Sequence, residues 1–354
     1  MHASAPHRLS HDEDDRAAAT LLRRSRLLVD PALHSAVATL PPAMRRVAAY
    51  HLGWQHPDGT AADNAASSGG KALRPALVLA AARAFGATPE TAIQPAAAVE
   101  LVHNFTLLHD DVMDRDATRR HRPTAWTLFG VPDAILAGDA LHALALRLLA
   151  EDPHPASASA TARLAGCVAE LCEGQHAGCA FETREQVSLT ECMQMAQAKT
   201  GALLGAACAL GALYAGADAE AVTAMNAFGR EVGLAFQLVD DLIGIWGDPA
   251  VTGKPAGADL AARKKSLPVV AALASATPAA DELAALYRDP GAMDAPQVQA
   301  AADAVDRAGG RVWAHVQAAD HMSAAIDHLT LAAPDLEAAE DLLTLAELVT
   351  RRDH

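Results

Sequence analysis

Large rings are scarce in this chain: four Trp, three Tyr and six Phe make up 4% of 354 residues. A close-packed core must then be filled with aliphatic and small side chains, and alanine is abundant throughout. Alternating β-branched runs are also missing, which argues against a sheet protein. The five cysteines (Cys167, Cys172, Cys179, Cys192 and Cys208) lack the paired spacing of a zinc site. They are read as reduced, small helical residues of a cytoplasmic protein. Positive charge is not in excess. The net charge of −15 and a pI near 5.4 exclude a non-specific nucleic-acid binder. No apolar run reaches membrane-spanning length, and MHASAPHRLSHDEDD has no apolar signal core.

What is present is a 51% hydrophobic chain, enough for a large core. Its apolar spacing predicts helices throughout and no strand. Residues 1–15 are expected to be a polar tail without structure, and 16–354 a single all-α domain. Asp30-Pro31 is expected to end the first helix, and Pro41-Pro42 to start another. Residues 56–70 read as a loop. A long helix is expected over 189–216, carrying Lys199-Thr200 and a small-residue face at Gly201, Gly205 and Ala209.

One stretch organises the rest: ELVHNFTLLHDDVMDRDATRRHRPTAW, residues 100–126. Asp110 and Asp114 are one helical turn apart and share a face, with Asp111 beside them and His103 and Thr106 on the same stripe. Stacked carboxylates repel. A hard cation such as Mg²⁺ reverses that sign, because it takes oxygen ligands from one or two carboxylates plus phosphates. Arg119, Arg120 and Arg122 follow, and guanidinium forks suit phosphate oxygens. Acid then base describes a metal–diphosphate site, against the plainer reading of a solvated helix end.

A second acidic stretch echoes the first. Gln237, Asp240 and Asp241 lie on adjacent turns, but position 244, where a third carboxylate would complete the pattern, is glycine. Asp248 lies about 10–12 Å further along the helix. Lys254, Arg263, Lys264 and Lys265 supply cations. GDPAVTGKP, residues 247–255, has the wrong glycine spacing for a nucleotide P-loop.

Five motifs in order then carry a resemblance: GGKALRP (69–75), VELVHNFTLLHDDVMDRDATRRHRP (99–123), KT (199–200), FQLVDD (236–241) and GKPAGADLAARKKSLP (253–268). The chain resembles the trans-isoprenyl diphosphate synthases, the polyprenyl synthetase family. That resemblance implies an all-α, isoprenoid synthase-type bundle around a deep central cavity, usually a homodimer. It implies head-to-tail condensation of isopentenyl diphosphate with an allylic diphosphate, using Mg²⁺, about three ions once diphosphate is bound. By resemblance, Asp110 and Asp114, with Asp111 in support, and Asp240 with Asp241 are metal ligands. Arg119, Lys199, Lys254 and Lys264 clamp the allylic diphosphate. Lys71, Arg74, His103 and Arg120 form the isopentenyl diphosphate pocket, and Thr200 and Gln237 line the carbocation site.

Gly244 departs from the family's usual aspartate, His121 and Arg263 stand at family glycine positions, and Ala72 replaces a basic residue. Phe105, five residues before Asp110, and the small Thr106, four before, with no insertion between Asp111 and Asp114, resemble the pattern for a C20 product, geranylgeranyl diphosphate. The plainer reading makes Phe105 a core aromatic, His103 a core histidine and Lys264-Lys265 a solvated pair. Alternatives are a C15 farnesyl product, a terpene-cyclase-like enzyme, or a non-catalytic cargo subunit. The last rests on DDLIGIWGDP (240–249), which is similar to sequences associated with nanocompartment shells.

Overall fold

The computed structural model describes residues 6–62, 72–248, 256–288, 291, 293–333, 335 and 337–350, with side chains of the first helix from Asp15 onward. Almost every element is helical. In order they are α1 (Pro6–Ala38), α2 (Pro42–His51), α3 (Leu73–Ala84), α4 (Ile93–Met113), α5 (Ala125–Phe129), α6 (Val131–Ala150) and α7 (Ser157–Thr183). Then come α8 (Leu189–Ala196), α9 (Ala202–Tyr214), α10 (Ala219–Trp246), α11 (Ala258–Ala261) and α12 (Leu267–Leu273). Four helices close the chain: α13 (Pro278–Arg288), α14 (Ala295–Arg307), α15 (Gly310–Ala332) and α16 (Glu340–Thr350). No single described helix is long and apolar enough to cross a membrane.

The helices group into two compact units. The first comprises residues 1–168, 206–226 and 331–345; the second comprises 169–205, 227–330 and 346–354.

In the first unit α4 is enclosed by α1, α3 and α6. Ala96, Ala97, Ala98, Val99, Leu101, Val102 and Leu108 are all buried. A helix apolar on every side belongs in a core, and this burial fixes where the acidic stretch at its end must lie. A 3₁₀ turn at Pro89–Ala92 leads into α4. Pro95 sits in the first turn, where its missing N–H costs nothing. The helix stops at Met113, and Arg115 turns away in the left-handed region at φ 55°.

The second unit packs Leu234, Leu238, Val239 and Leu242 of α10 against Cys192, Ala196, Leu267, Val270 and Ala314. A neighbouring cluster joins Ile245, Leu260, Val269 and Leu283 to Ala301, Ala304 and Val305.

Three expectations change. Helix α1 begins at Pro6, inside the stretch expected to lack structure, and runs through Asp30-Pro31 to Ala38. Pro31 is exposed, so water can satisfy the carbonyl its ring deprives of a partner, while Val29, Leu33, Ala36 and Val37 bury the opposite face. Thr118–Arg119 and Arg122–Pro123 form a two-stranded antiparallel hairpin where no strand was expected. The helix expected over 189–216 contains a π turn at Gln197–Gly201.

Small residues set the helix spacing. At Gly211 of α9 an added methyl would collide with the Val78 carbonyl of α3 and lie 2.7 Å from Ala81 Cβ. Backbone cannot step aside as a flexible side chain can. Gly211→Ala should therefore cost about 2–3 kcal/mol and lower the calorimetric midpoint by several degrees. An unchanged midpoint would mean that α3 and α9 do not approach this closely.

Candidate active site

The first unit presents the first acidic motif at the C-terminal end of α4. Asp110 is half-buried, and Asp114 is exposed at the C-cap. Asp111 is different: it is 1% exposed, and its Oδ1 accepts from Arg119 Nε at 2.6 Å. Burial raises the Asp111 pKa against the lowering effect of that guanidinium. Asp111 belongs to the expected ligand set, but its carboxylate is turned to the hairpin, which it anchors to the helix.

The hairpin carries the cations. Arg119 and Arg122 pair across it, and the two loop residues, Arg120 (φ 52°) and His121 (φ 60°), are both left-handed. Two positive φ values in a two-residue loop describe a type I′ turn, normally Asn-Gly. That is why a glycine suits position 121, and the strain is held by neighbours. Thr124 Oγ1 and Trp126 Nε1 both donate to the Asp116 carbonyl, at 2.7 and 2.8 Å. Tyr50 donates to the Pro123 carbonyl at 2.7 Å, and the Arg122 guanidinium lies 4.4 Å over the Tyr50 ring. The result is a recess lined by His51, Arg119, Arg120, Arg122 and Asp111. Three guanidinium groups around one recess suit an anion such as diphosphate.

His103, one helical turn and more behind the motif, accepts from Arg74 at 3.2 Å. Burial, then Arg74 and Arg120, lower its pKa well below the ordinary histidine value. A neutral imidazole is thus the acceptor that orients Arg74. His51 behaves alike, lowered to about 3 by burial and then by Arg120, Arg119 and Arg122. Sequence reading missed His51; an isolated histidine on α2 carries no signal. Lys71 and Lys254 lie outside the described residues.

The second unit holds the other motif. Asp240 is exposed on α10, while Asp241 is 3% exposed and belongs to a relay. Asp241 Oδ2 accepts the Leu267 N–H at 2.8 Å, and Oδ1 accepts from Gln237 Nε2 at 2.8 Å. Gln237 Oε1 accepts from Thr200 Oγ1 at 2.7 Å. An ionised Asp241 can only accept, so the Gln237 amide must turn its NH₂ there and its carbonyl to Thr200. Thr200 therefore gives away its proton and keeps oxygen lone pairs for a positive charge. Asp241 also stands in the expected ligand set; its oxygens are committed to this relay. Burial pushes its pKa up to about 6, against Lys264 and the Leu267 N–H.

Lys199 and Thr200 sit in the π turn. Its extra residue is accommodated because Gly174 of α7 leaves space: a methyl there would lie 2.6 Å from Lys199 N. Gly201 and Gly233 meet in the same way, a Cβ on Gly233 falling 2.6 Å from the Gly201 Cα. These contacts bear out the small-residue face. Such bulges recur at functional positions.

Asp110 and Asp114 of the first unit offer only oxygen donors, the type suited to Mg²⁺, and Asp240 of the second unit offers the same type. Asp110 and Asp114 stand at a helix C-terminus, whose partial negative charge adds to their repulsion. A cation relieves both. Among the described residues no three His, Cys, Asp or Glu side chains converge, so phosphate and water oxygens must complete any coordination shell.

The neutral histidines make stability pH-dependent. The unfolded chain protonates His103 near pH 6.5, the folded chain does not, so stability falls as pH drops below that value. Carboxylates with raised pKa values, such as Asp241, act in the opposite direction. His103→Gln isolates the histidine: between pH 6 and 5 it should lose up to about 1.4 kcal/mol less than the parent. Denaturant titrations at the two pH values measure this, and identical slopes would show that His103 protonates in the fold.

A sequence profile of the Polyprenyl synthetase family matches residues 59–305. The chain is 50% identical over 334 residues to a geranylgeranyl diphosphate synthase of Mycobacterium tuberculosis, covering 94% of this chain and 93% of that one. It is 46% identical over 329 residues to a (2E,6E)-farnesyl diphosphate synthase of Mycobacterium bovis, covering 92% and 90%. A crystal structure of a polyprenyl synthetase from Streptomyces coelicolor A3(2) superposes with TM-score 0.89 at 44% identity, over 93% of this chain and 98% of that one. With two acidic motifs, an arginine hairpin and matches of this extent, the chain belongs to the polyprenyl synthetase family and is a trans-prenyltransferase.

Proposed function

We propose that this enzyme condenses isopentenyl diphosphate with an allylic diphosphate and releases a twenty-carbon product, geranylgeranyl diphosphate. Arg74, oriented by neutral His103, and Arg120 bind isopentenyl diphosphate with Lys71. Arg119, Lys199, Lys254 and Lys264 hold the allylic diphosphate. Asp110, Asp114 and Asp240 would hold Mg²⁺, which supplies charge neutralisation of the leaving diphosphate. Fixed cations around that leaving group stabilise its developing charge without reorganisation. The Thr200 oxygen, its proton directed to Gln237, favours the carbocation. No side chain stands out as a base, so the departing diphosphate takes the proton.

The observation that carries the length is the Phe105 ring. It is buried five residues before Asp110, about 7–8 Å down the helix axis. It stacks on His142 of α6 at 5.1 Å and meets His109 edge-on at 4.9 Å. His142, which the sequence reading missed, buttresses the ring against an advancing chain. Thr106 directs its hydroxyl to the His103 carbonyl at 2.7 Å and adds no bulk. The relative named for the C20 product is the more similar of the two, while the farnesyl synthase at 46% identity keeps C15 as the second reading. Both relatives are synthases, which favours neither cyclisation nor a cargo role. A homodimer accords with the exposed apolar side chains Met113, Leu128, Val131, Ile135 and Leu136.

Incubation of the purified protein with isopentenyl diphosphate, an allylic primer and Mg²⁺, with products separated by length, tests the assignment; absence of any elongated product would sink it. Phe105→Ala should shift the products beyond C20, whereas unchanged C20 with lower stability would make Phe105 a core residue only. Arg74→Ala should raise KM for isopentenyl diphosphate at least tenfold more than KM for the primer. Equal effects would contradict the pocket assignment.

A further inference from the structure

Positive charge is unevenly placed along this chain. The whole sequence holds 28 basic and 43 acidic side chains, a net of −15. From Arg16 to Pro57 the balance reverses: six arginines, Arg16, Arg23, Arg24, Arg26, Arg45 and Arg46, meet one carboxylate, Asp30. Five of those arginines are exposed, whereas Arg26 and Asp30 are half-buried. The exposed side chains of this stretch therefore include no acid.

Helix α1 gathers part of the charge on one stripe. Arg16, Arg23, Leu27 and His34 are spaced so that they fall within about 20° of one line along the helix. Arg24 flanks that line. Ala18, Ser25, Val29, Leu33 and Ala36 bury the opposite face, and their burial turns the arginines outward. Leu27 interrupts the charge and is 73% exposed. His34 stacks on Trp54 at 3.7 Å, which brings an indole to the C-terminal end of the stripe. Asp15, exposed, marks its N-terminal limit, and Glu90 at the flank feels the charge of Arg24.

A nucleic-acid backbone has no use for an exposed leucine among arginines. An anionic bilayer takes both, with guanidinium groups at the headgroup phosphates and leucine and indole in the apolar layer beneath. The chemistry of the enzyme adds a reason: prenyl transfer makes amphiphiles whose lengthening apolar chains partition into lipid. We infer that the outward face of α1 docks this enzyme on anionic phospholipid at a bilayer surface, through Arg23, Arg24 and Leu27. The contact is peripheral, since no single described helix is long and apolar enough to cross. It does not depend on product length.

Flotation of the full chain with vesicles tests it. Vesicles of equal parts phosphatidylglycerol and phosphatidylcholine should bind at least about tenfold more protein than phosphatidylcholine alone, and added salt should release it. Arg23→Glu/Arg24→Glu should cut binding to the anionic vesicles at least about tenfold, with unchanged melting temperature and unchanged turnover in lipid-free buffer. Leu27→Ala keeps every charge and should weaken binding about fivefold. Equal binding to both kinds of vesicle, or full binding by the charge-reversed variant, overturns the inference. So does a Leu27→Ala variant that binds like the parent, because the stripe is then a general anion-binding surface that an RNA or an acidic protein would fill as well. A charge-reversed variant whose sedimentation coefficient changes without lipid would assign the face to contact between copies of the chain and overturn it too.

Discussion

Two buried carboxylates organise the two acidic motifs. Each acidic motif begins with an Asp-Asp pair, and in each the second member is turned inward. Asp111 grips Arg119 and so ties the arginine hairpin to the end of α4. Asp241 grips the first N–H of α12 and the Gln237 amide, with Lys264 beside it. A buried carboxylate is costly unless it is well partnered. Asp241 has both oxygens partnered, and Asp111 has Oδ1 partnered by Arg119 while its buried Oδ2 has no partner among the described residues, so each pins the element that follows it. The outward aspartates, Asp110 and Asp240, inherit their placement from this inward anchoring.

The scaffold that allows it is built from small residues. Gly174, Gly201 and Gly233 let α7, α10 and the π turn approach almost to backbone contact. Close approach leaves little slack, so the direction of Thr200 and Lys199 follows from backbone positions rather than from flexible side chains. In the first unit the same economy of volume surrounds α4 with alanine and leucine, and the Phe105 ring lies against His142.

Much of this was legible in the residues. The spacing of apolar positions gave nearly every helix, and five motifs in order gave the family. The unread parts share a physical cause: they depend on contacts between residues distant in sequence. Pro31 reads as a breaker, yet burial on either side of it outweighs one lost hydrogen bond. The hairpin at Thr118–Pro123 has no strand-like pattern, because neighbours rather than propensity hold it. Asp111 and Asp241 read as equals of their outward partners until the donors that hold them are known.

The Arg120-His121 turn has a consequence for anyone who selects this protein for heat resistance. Left-handed backbone at two non-glycine residues costs of the order of 1–2 kcal/mol apiece, and Asn-Gly would remove most of it. A screen that scores survival alone would therefore drift toward Asn-Gly at 120–121 and discard a guanidinium from the recess. Under the role proposed for Arg120, robust variants that arise this way would keep their fold and lose their grip on an anion, so thermal endurance and substrate capture would pull this six-residue hairpin in opposite directions.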